Sequence, residues 1–216
     1  MKRKTLLIIT TLVIVLLTMG FQCGKEYIEL KPTYEFFEKL TLTPYKKIYS
    51  INDTITIQFQ TNDKKLFDKL SNSLIATDTS QLFVGFYYHK RYIVGTQPEF
   101  FCDTKVDNPI DLSFTTLYPW YNVLTYKTNC SAPNYFLKAS FIPKKTGIYS
   151  LEPFISNHQY CQNKIDRPYT TTKFIFDLAD CNKDIWLSIP PASRGGELGF
   201  TDVQIDKKEI FVFKVE

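Results

Sequence analysis

Thr54-Ile55-Thr56-Ile57-Gln58-Phe59-Gln60 sets Ile55, Ile57 and Phe59 on one side and Thr54, Thr56, Gln58 and Gln60 on the other. A period of two is that of a β-strand with one face in a core and one in water. Asn52-Asp53 before it and Asn62-Asp63 after it are turn residues. The same alternation returns along the chain. Leu82, Val84, Phe86 and Tyr88 share a face within Gln81 to His89, and Tyr135, Leu137, Ala139 and Phe141 share one within Tyr135 to Ile142. Ile148 to Leu151, Lys173 to Leu178 and Glu209 to Val215 read as strands too. So do the weaker stretches Glu38 to Thr43, Leu112 to Leu117 and Tyr121 to Tyr126, and Arg91 to Val94 reads as the returning arm of a hairpin. Leu66, Phe67, Leu70 and Leu74 have helical spacing and predict one short helix. Many short strands, frequent turns and almost no helix predict an all-β fold, an antiparallel β-sandwich.

Outward from that body, the N-terminus carries Lys2-Arg3-Lys4, the apolar run Leu6 to Met19 and then Cys23. A basic head and a hydrophobic middle are what an export signal requires. Three fates are open. The segment is cut before a lipidated Cys23, or it stays as an anchor, since Thr5 to Gln22 reaches the roughly 18 residues of the shortest spanning helix, or it is cut to release a soluble product. Nothing like a small-x-small cleavage site precedes Cys23, so a tethered protein is expected. The division is residues 1–22 as signal or anchor, 23–45 as tether and lead-in, and 46–216 as the sandwich. Without Lys2, Arg3 and Lys4 the net charge falls from +4 to +1, which leaves no electrostatic case for nucleic acid.

Cys102, Cys130, Cys161 and Cys181 remain after Cys23. An even number outside the cytoplasm favours disulfides, with three connectivities open. Cys102–Cys130 and Cys161–Cys181 are expected because sequence neighbours usually become spatial ones. Each would close a loop of about 20 to 30 residues, worth about 3 kcal/mol in the chain-entropy model.

Chemistry-bearing patterns are sparse. No GxSxG, HExxH or Gly-rich dinucleotide motif occurs, so no enzyme and no cofactor are expected. Asp180, Asn182 and Asp184 have the spacing of a calcium loop, but Ile185 stands where such a loop needs glycine; a polar turn is expected and no metal. His89 falls on the face opposite Leu82 and Val84 and reads as a solvated or half-buried strand histidine. Ser193 to Gly199 holds three of the eight glycines and reads as a loop with Arg194 open to proteases. Aromatic residues make up 16% of the chain; most suit a sandwich core. Tyr118, Trp120 and Tyr121, grouped around Pro119, are the candidates for a ligand-binding platform that stacks on sugars.

Two resemblances extend this reading. Phe141-Ile142-Pro143-Lys144-Lys145-Thr146-Gly147-Ile148-Tyr149 resembles the E–F corner of immunoglobulin-like domains, which implies a bond from the Tyr149 hydroxyl back to the turn. Leu151 stands where an antibody domain has its second cysteine, so the inter-sheet disulfide is not implied. Gly20-Phe21-Gln22-Cys23 resembles a bacterial lipobox, departing from it at Gly20 and Gln22. With Tyr49-Ser50-Ile51-Asn52-Asp53-Thr54-Ile55 and the late Cys-bearing strands, the layout resembles cell-envelope lipoproteins of the Bacteroidota type. Cys23-Gly24-Lys25-Glu26 is similar to the tag that sends such proteins to the outer surface. The resemblance implies an extracytoplasmic lipoprotein held in the membrane through Cys23, at the periplasmic face or the cell surface and in the outer membrane. The expected role is a non-catalytic structural or protein-interaction module, with a carbohydrate-binding lipoprotein as the alternative.

Overall fold

The computed structural model describes residues 34–77, 80–91, 102–107, 112–118, 121–129, 131–154, 156–160, 170–194 and 202–216. The leader, Cys23, Trp120, Cys130 and Cys161 lie outside them, as does the expected returning arm beyond Arg91. The described elements are β1 (Tyr34–Thr43), β2 (Ile48–Tyr49), β3 (Ile55–Gln60), β4 (Lys65–Asp68), β5 (Ser73–Ala76), β6 (Ser80–Arg91), β7 (Cys102–Val106), β8 (Leu112–Tyr118), β9 (Tyr121–Lys127), β10 (Phe136–Pro143), β11 (Gly147–Phe154), β12 (Ser156–Tyr160), β13 (Thr170–Phe176), α1 (Lys183–Ser188), α2 (Pro191–Arg194), α3 (Asp202–Asp206) and β14 (Phe211–Val215). The fold is mostly antiparallel β in two sheets.

Hydrogen bonding runs β2-β14-β11-β6-β12-β13-β1-β3-β10-β7, with β9 and β8 beside β6 and the β4–β5 hairpin beside β1. The long β6 joins the sheets by pairing with β11 and β9 over most of its length and with β12 at Ser80 to Leu82. β1 begins at Tyr34, so the strand takes in the second half of the expected lead-in. It pairs in parallel with β13 up to Leu40 and then antiparallel with β3.

Alternation builds the core as the sequence foretold. Ile55, Ile57 and Phe59 are buried together with Leu82, Val84, Phe86, Tyr88, Leu137, Ala139 and Phe141. Rings from β6 meet β10: Tyr88 stacks on Phe141 at 5.8 Å and Phe86 meets it edge-on at 5.9 Å. The Tyr149 hydroxyl donates to the Lys145 carbonyl at 2.7 Å. That bond pairs a buried polar group that would otherwise cost free energy. Gly147 has φ +149°, which side chains rarely adopt. At Gly85 the Phe154 ring lies so close that a Cβ would sit 1.5 Å from its Cζ.

The predicted helix over Leu66 to Leu74 is instead the β4–β5 hairpin. Asp68 explains the difference. Its carboxylate accepts from the backbone N–H groups of Glu35 at 2.8 Å and Ser71 at 2.9 Å. Asn72 is left-handed at φ 52°. A side chain that captures backbone donors offers an alternative to the helix, and the edge of β1 supplies the remaining bonds. Helix occurs elsewhere, in α1 to α3. Among the described residues no helix is long and apolar enough to cross a membrane.

Candidate functional site

The polar centre of the body lies on the side of β6 facing away from the Tyr88–Phe141 core. His89 and Arg91 come from β6, and Ser150 and Glu152 from β11, with Ser150 the register partner of His89. Two-residue spacing on both strands puts all four on one face. Such a face would normally be wet, yet Glu152 is 0% exposed, Ser150 0%, His89 2% and Arg91 5%.

The segment between β13 and β14 provides cover. The first residues of β14 turn their free backbone edge to it: Val212 N–H donates to the Cys181 carbonyl at 3.2 Å, and Asn182 Nδ2 donates to the Val212 carbonyl at 2.7 Å. From there α1 brings the buried Trp186 beneath Arg91, whose guanidinium carbon lies 5.2 Å from the indole centroid. Trp186 Nε1 donates to Asp202 Oδ1 at 2.7 Å, and Arg194 Nη1 reaches both oxygens of Asp202 at 3.2 Å. The indole bond and then Arg194 hold the Asp202 carboxyl below its usual range.

Within this cover Glu152 Oε1 accepts from Arg91 Nη2 and from Ser150 Oγ, both in short contacts. Arg91 Nη2 also donates to Ser150 Oγ at 2.9 Å, and Nη1 to the Arg194 carbonyl at 3.2 Å. His89 Nε2 stands 3.4 Å from Glu152 Oε2. Burial drives the His89 imidazole down to about 4, with Arg91 adding to the depression and Glu152 opposing it. Near neutral pH the His89–Glu152 contact is therefore polar and not an ion pair; the buried ion pair is Arg91–Glu152.

A serine nucleophile needs its hydroxyl on an imidazole, with the acid behind. Here the carboxylate stands between hydroxyl and imidazole, and the hydroxyl donates to the carboxylate. Ser150, His89 and Glu152 thus have the residue types of a triad in the wrong order, inside a closed layer. The arrangement holds β6, β11 and the α1–α3 segment together.

The sequence-predicted sites are placed as follows. Tyr118 and Tyr121 are register partners at the end of β8–β9, described as strand positions only. Cys102 and Cys181 are buried free thiols; each expected disulfide partner lies outside the described residues. Burial raises the Cys102 thiol well above its usual range and pushes Cys181 up to about 12. Asp180, Asn182 and Asp184 form a turn: Asp180 accepts from the Lys183 N–H, Asn182 is left-handed at φ 60°, and Asp184 pairs with Lys47 at 2.8 Å. Among the described residues no three His, Cys, Asp or Glu gather as metal ligands. Two expectations are corrected. His89 is buried, on the face where Trp186 of α1 and the Arg194 carbonyl of α2 meet Arg91. Arg194 is no open loop residue; it ends α2 and donates to the Ile189 carbonyl at 2.6 Å and the Leu187 carbonyl at 3.1 Å.

Glu152 and Arg91 were not singled out by sequence reading. Their signal is charge at alternate strand positions, which also describes any solvated face. Compared with known proteins, the chain matches no family model, no curated protein and no solved structure.

Proposed function

We propose that the chain is a membrane-tethered, extracytoplasmic lipoprotein whose body is an immunoglobulin-like sandwich acting as a structural or protein-interaction module of the cell envelope. The observation that carries this reading is the closed polar network. Among the described residues Ser150, His89, Glu152 and Arg91 are buried together, and Ser150, Glu152 and Arg91 bond to one another. Such groups fix the arrangement of a frame, and binding is then the work of its loops and edges. The leader and Cys23 supply the location, and the Tyr149 bond to the Lys145 carbonyl supports the immunoglobulin-like assignment.

Metabolic labelling with a tagged fatty acid tests the tether. Label on the native chain and none on Cys23→Ala supports lipidation, whereas no label on either, with full-length mass retained in the membrane, overturns it. In-cell photo-crosslinking tests the module: a discrete protein adduct supports it. A second reading, a carbohydrate-binding lipoprotein, rests on the register that sets Tyr118 beside Tyr121 at one hairpin end. Glycan binding that is lost in Trp120→Ala would favour it over the first.

A further inference from the structure

The β4–β5 hairpin leaves apolar surface open. Phe67 and Leu74 are cross-strand partners. They are 37% and 64% exposed, and Leu70, in the turn between the strands, is 59% exposed. Alternation explains which residues were free to be polar. Leu66 is buried and its partner Ile75 packs on the core, so the opposite face answers to solvent alone. That face carries Phe67 and Leu74. The turn is built firmly, through the Asp68 carboxylate and left-handed Asn72, so Leu70 is held outward by structure and not by fraying.

Its place in the fold says what covers it. Lys69 N–H donates to the Glu35 carbonyl at 2.9 Å, and Asp68 is the register partner of Phe36. The tip therefore lies beside Tyr34 and Glu35, where the chain enters the body. Ten residues, Gly24 to Thr33, separate Cys23 from Tyr34. Fully extended they span at most about 36 Å, so a lipid on Cys23 keeps this end of the body near the bilayer. Lysines flank the apolar tip. Lys65 is exposed on the face of Phe67 and Leu74 but pairs with Asp63 at 2.6 Å, Glu38 Oε1 accepts from the Phe67 N–H at 2.8 Å, and Lys69, in the turn, holds its amine 4.5 Å from the Phe37 ring centroid, so carboxylates offset the amines of the tip. Apolar side chains rimmed by amines and carboxylates suit a membrane interface whatever its charge, because the apolar groups enter the headgroup–acyl boundary.

We infer that the β4–β5 hairpin tip, through Phe67, Leu70 and Leu74, docks into the lipid surface of the membrane that holds the anchor. This rests on the tethered reading above. Docking makes a second contact beside the covalent one, and it orients the body with the opposite end of β1 pointing away from the bilayer.

The test uses the full chain reconstituted in vesicles of phosphatidylethanolamine and phosphatidylglycerol with brominated acyl chains. Tryptophan is placed by Leu70→Trp, with Leu74→Trp reading the same surface should the first variant misfold, and Val203→Trp on α3 as the control. After the emission of Trp120 and Trp186, read in the native chain in the same vesicles, is subtracted, the expected result is emission of the added tryptophan quenched about twofold at position 70 or 74, since interfacial side chains sit roughly 5–10 Å deep, with the control unchanged. A chain that floats with the vesicles while neither tip position is quenched overturns the docking and leaves the tether standing. A chain that does not float overturns both. Quenching equal at position 203 overturns the orientation. A blue shift at position 70 that grows with protein concentration in detergent alone assigns the tip to a second copy, and also overturns the lipid assignment.

Discussion

Removing the Glu152 carboxylate by Glu152→Ala tests whether the outer face of β6 and β11 is a closed layer. The Glu152 side chain is fully buried and that of Arg91 is 4% exposed. Truncation leaves the Arg91 guanidinium with Ser150 Oγ, the Arg194 carbonyl and the Trp186 ring as its described partners. None of these carries a negative charge. Breaking a buried pair from one side costs about 3–5 kcal/mol, a large share of the roughly 5–15 kcal/mol that holds a domain folded. With an m-value of about 2 kcal/mol/M, the urea midpoint should fall by roughly 1.5–2.5 M. Tryptophan emission of the full chain in detergent micelles is the assay, because Trp186 lies against Arg91. The pair as a whole has no such worth, because the desolvation of two ions offsets their attraction. Glu152→Leu combined with Arg91→Met should therefore unfold within about 1 kcal/mol of the native chain, or later. A midpoint shift below about 0.5 M for Glu152→Ala corresponds to a solvent-screened surface pair, and it would refute the closed-layer argument.

Four further outcomes follow from the same geometry. Tyr149→Phe deletes the donor to the Lys145 carbonyl and should cost about 1 kcal/mol in the same urea assay; no change would remove the corner from the account of stability. Gly85→Ala drives a methyl into the Phe154 ring and should cost about 1–3 kcal/mol, with Gly85→Ala/Phe154→Ala recovering part of it; a neutral single variant would show that the ring swings away freely. His89 is depressed from 6.5 to about 4, so the fold favours its neutral form. The stability tied to it is complete above pH 6.5 and is lost as pH falls toward 4. Glu38 works in the opposite sense, because burial raises its carboxyl from 4.5 to about 7. Its contribution is complete below pH 4.5 and is lost as pH rises through 7. Urea midpoints across this range should lose their acid-side fall in His89→Asn and their neutral-side fall in Glu38→Gln, and slopes unchanged in both would contradict the assignments. Finally, Cys102 and Cys181 should resist iodoacetamide in the native chain and react in urea without reductant, as buried free thiols do. Reaction only after reduction would instead establish the expected disulfides.

Local pattern was enough for the strands whose two faces meet different media. β3 and β10 were legible because their inward apolar residues alternate with more exposed polar ones at the period of two, and β6 because one of its faces is apolar throughout. The bond from Tyr149 back to its own turn was legible because turn and ring sit within nine residues. The pattern failed over Leu66 to Leu74, where helical spacing yielded to an aspartate that captured backbone donors of Glu35 and Ser71. It missed β7, whose Cys102 and Val106 face inward around three more polar residues, and the three short helices, which are held by Arg194, Asp202 and Asn182 and not by propensity.

From the sequence alone come the β class, the inward residues of the main strands, and an N-terminal basic head followed by an apolar run. Each depends on neighbours within a few residues, which the order of side chains states directly. Only the tertiary structure could decide that His89, Arg91, Ser150 and Glu152 are interior. Burial of a strand's second face depends on what lies across it, and here that is Trp186 and Arg194, about 100 residues from Arg91 in the chain. Charges at alternate positions look the same to the sequence whether water or an indole covers them.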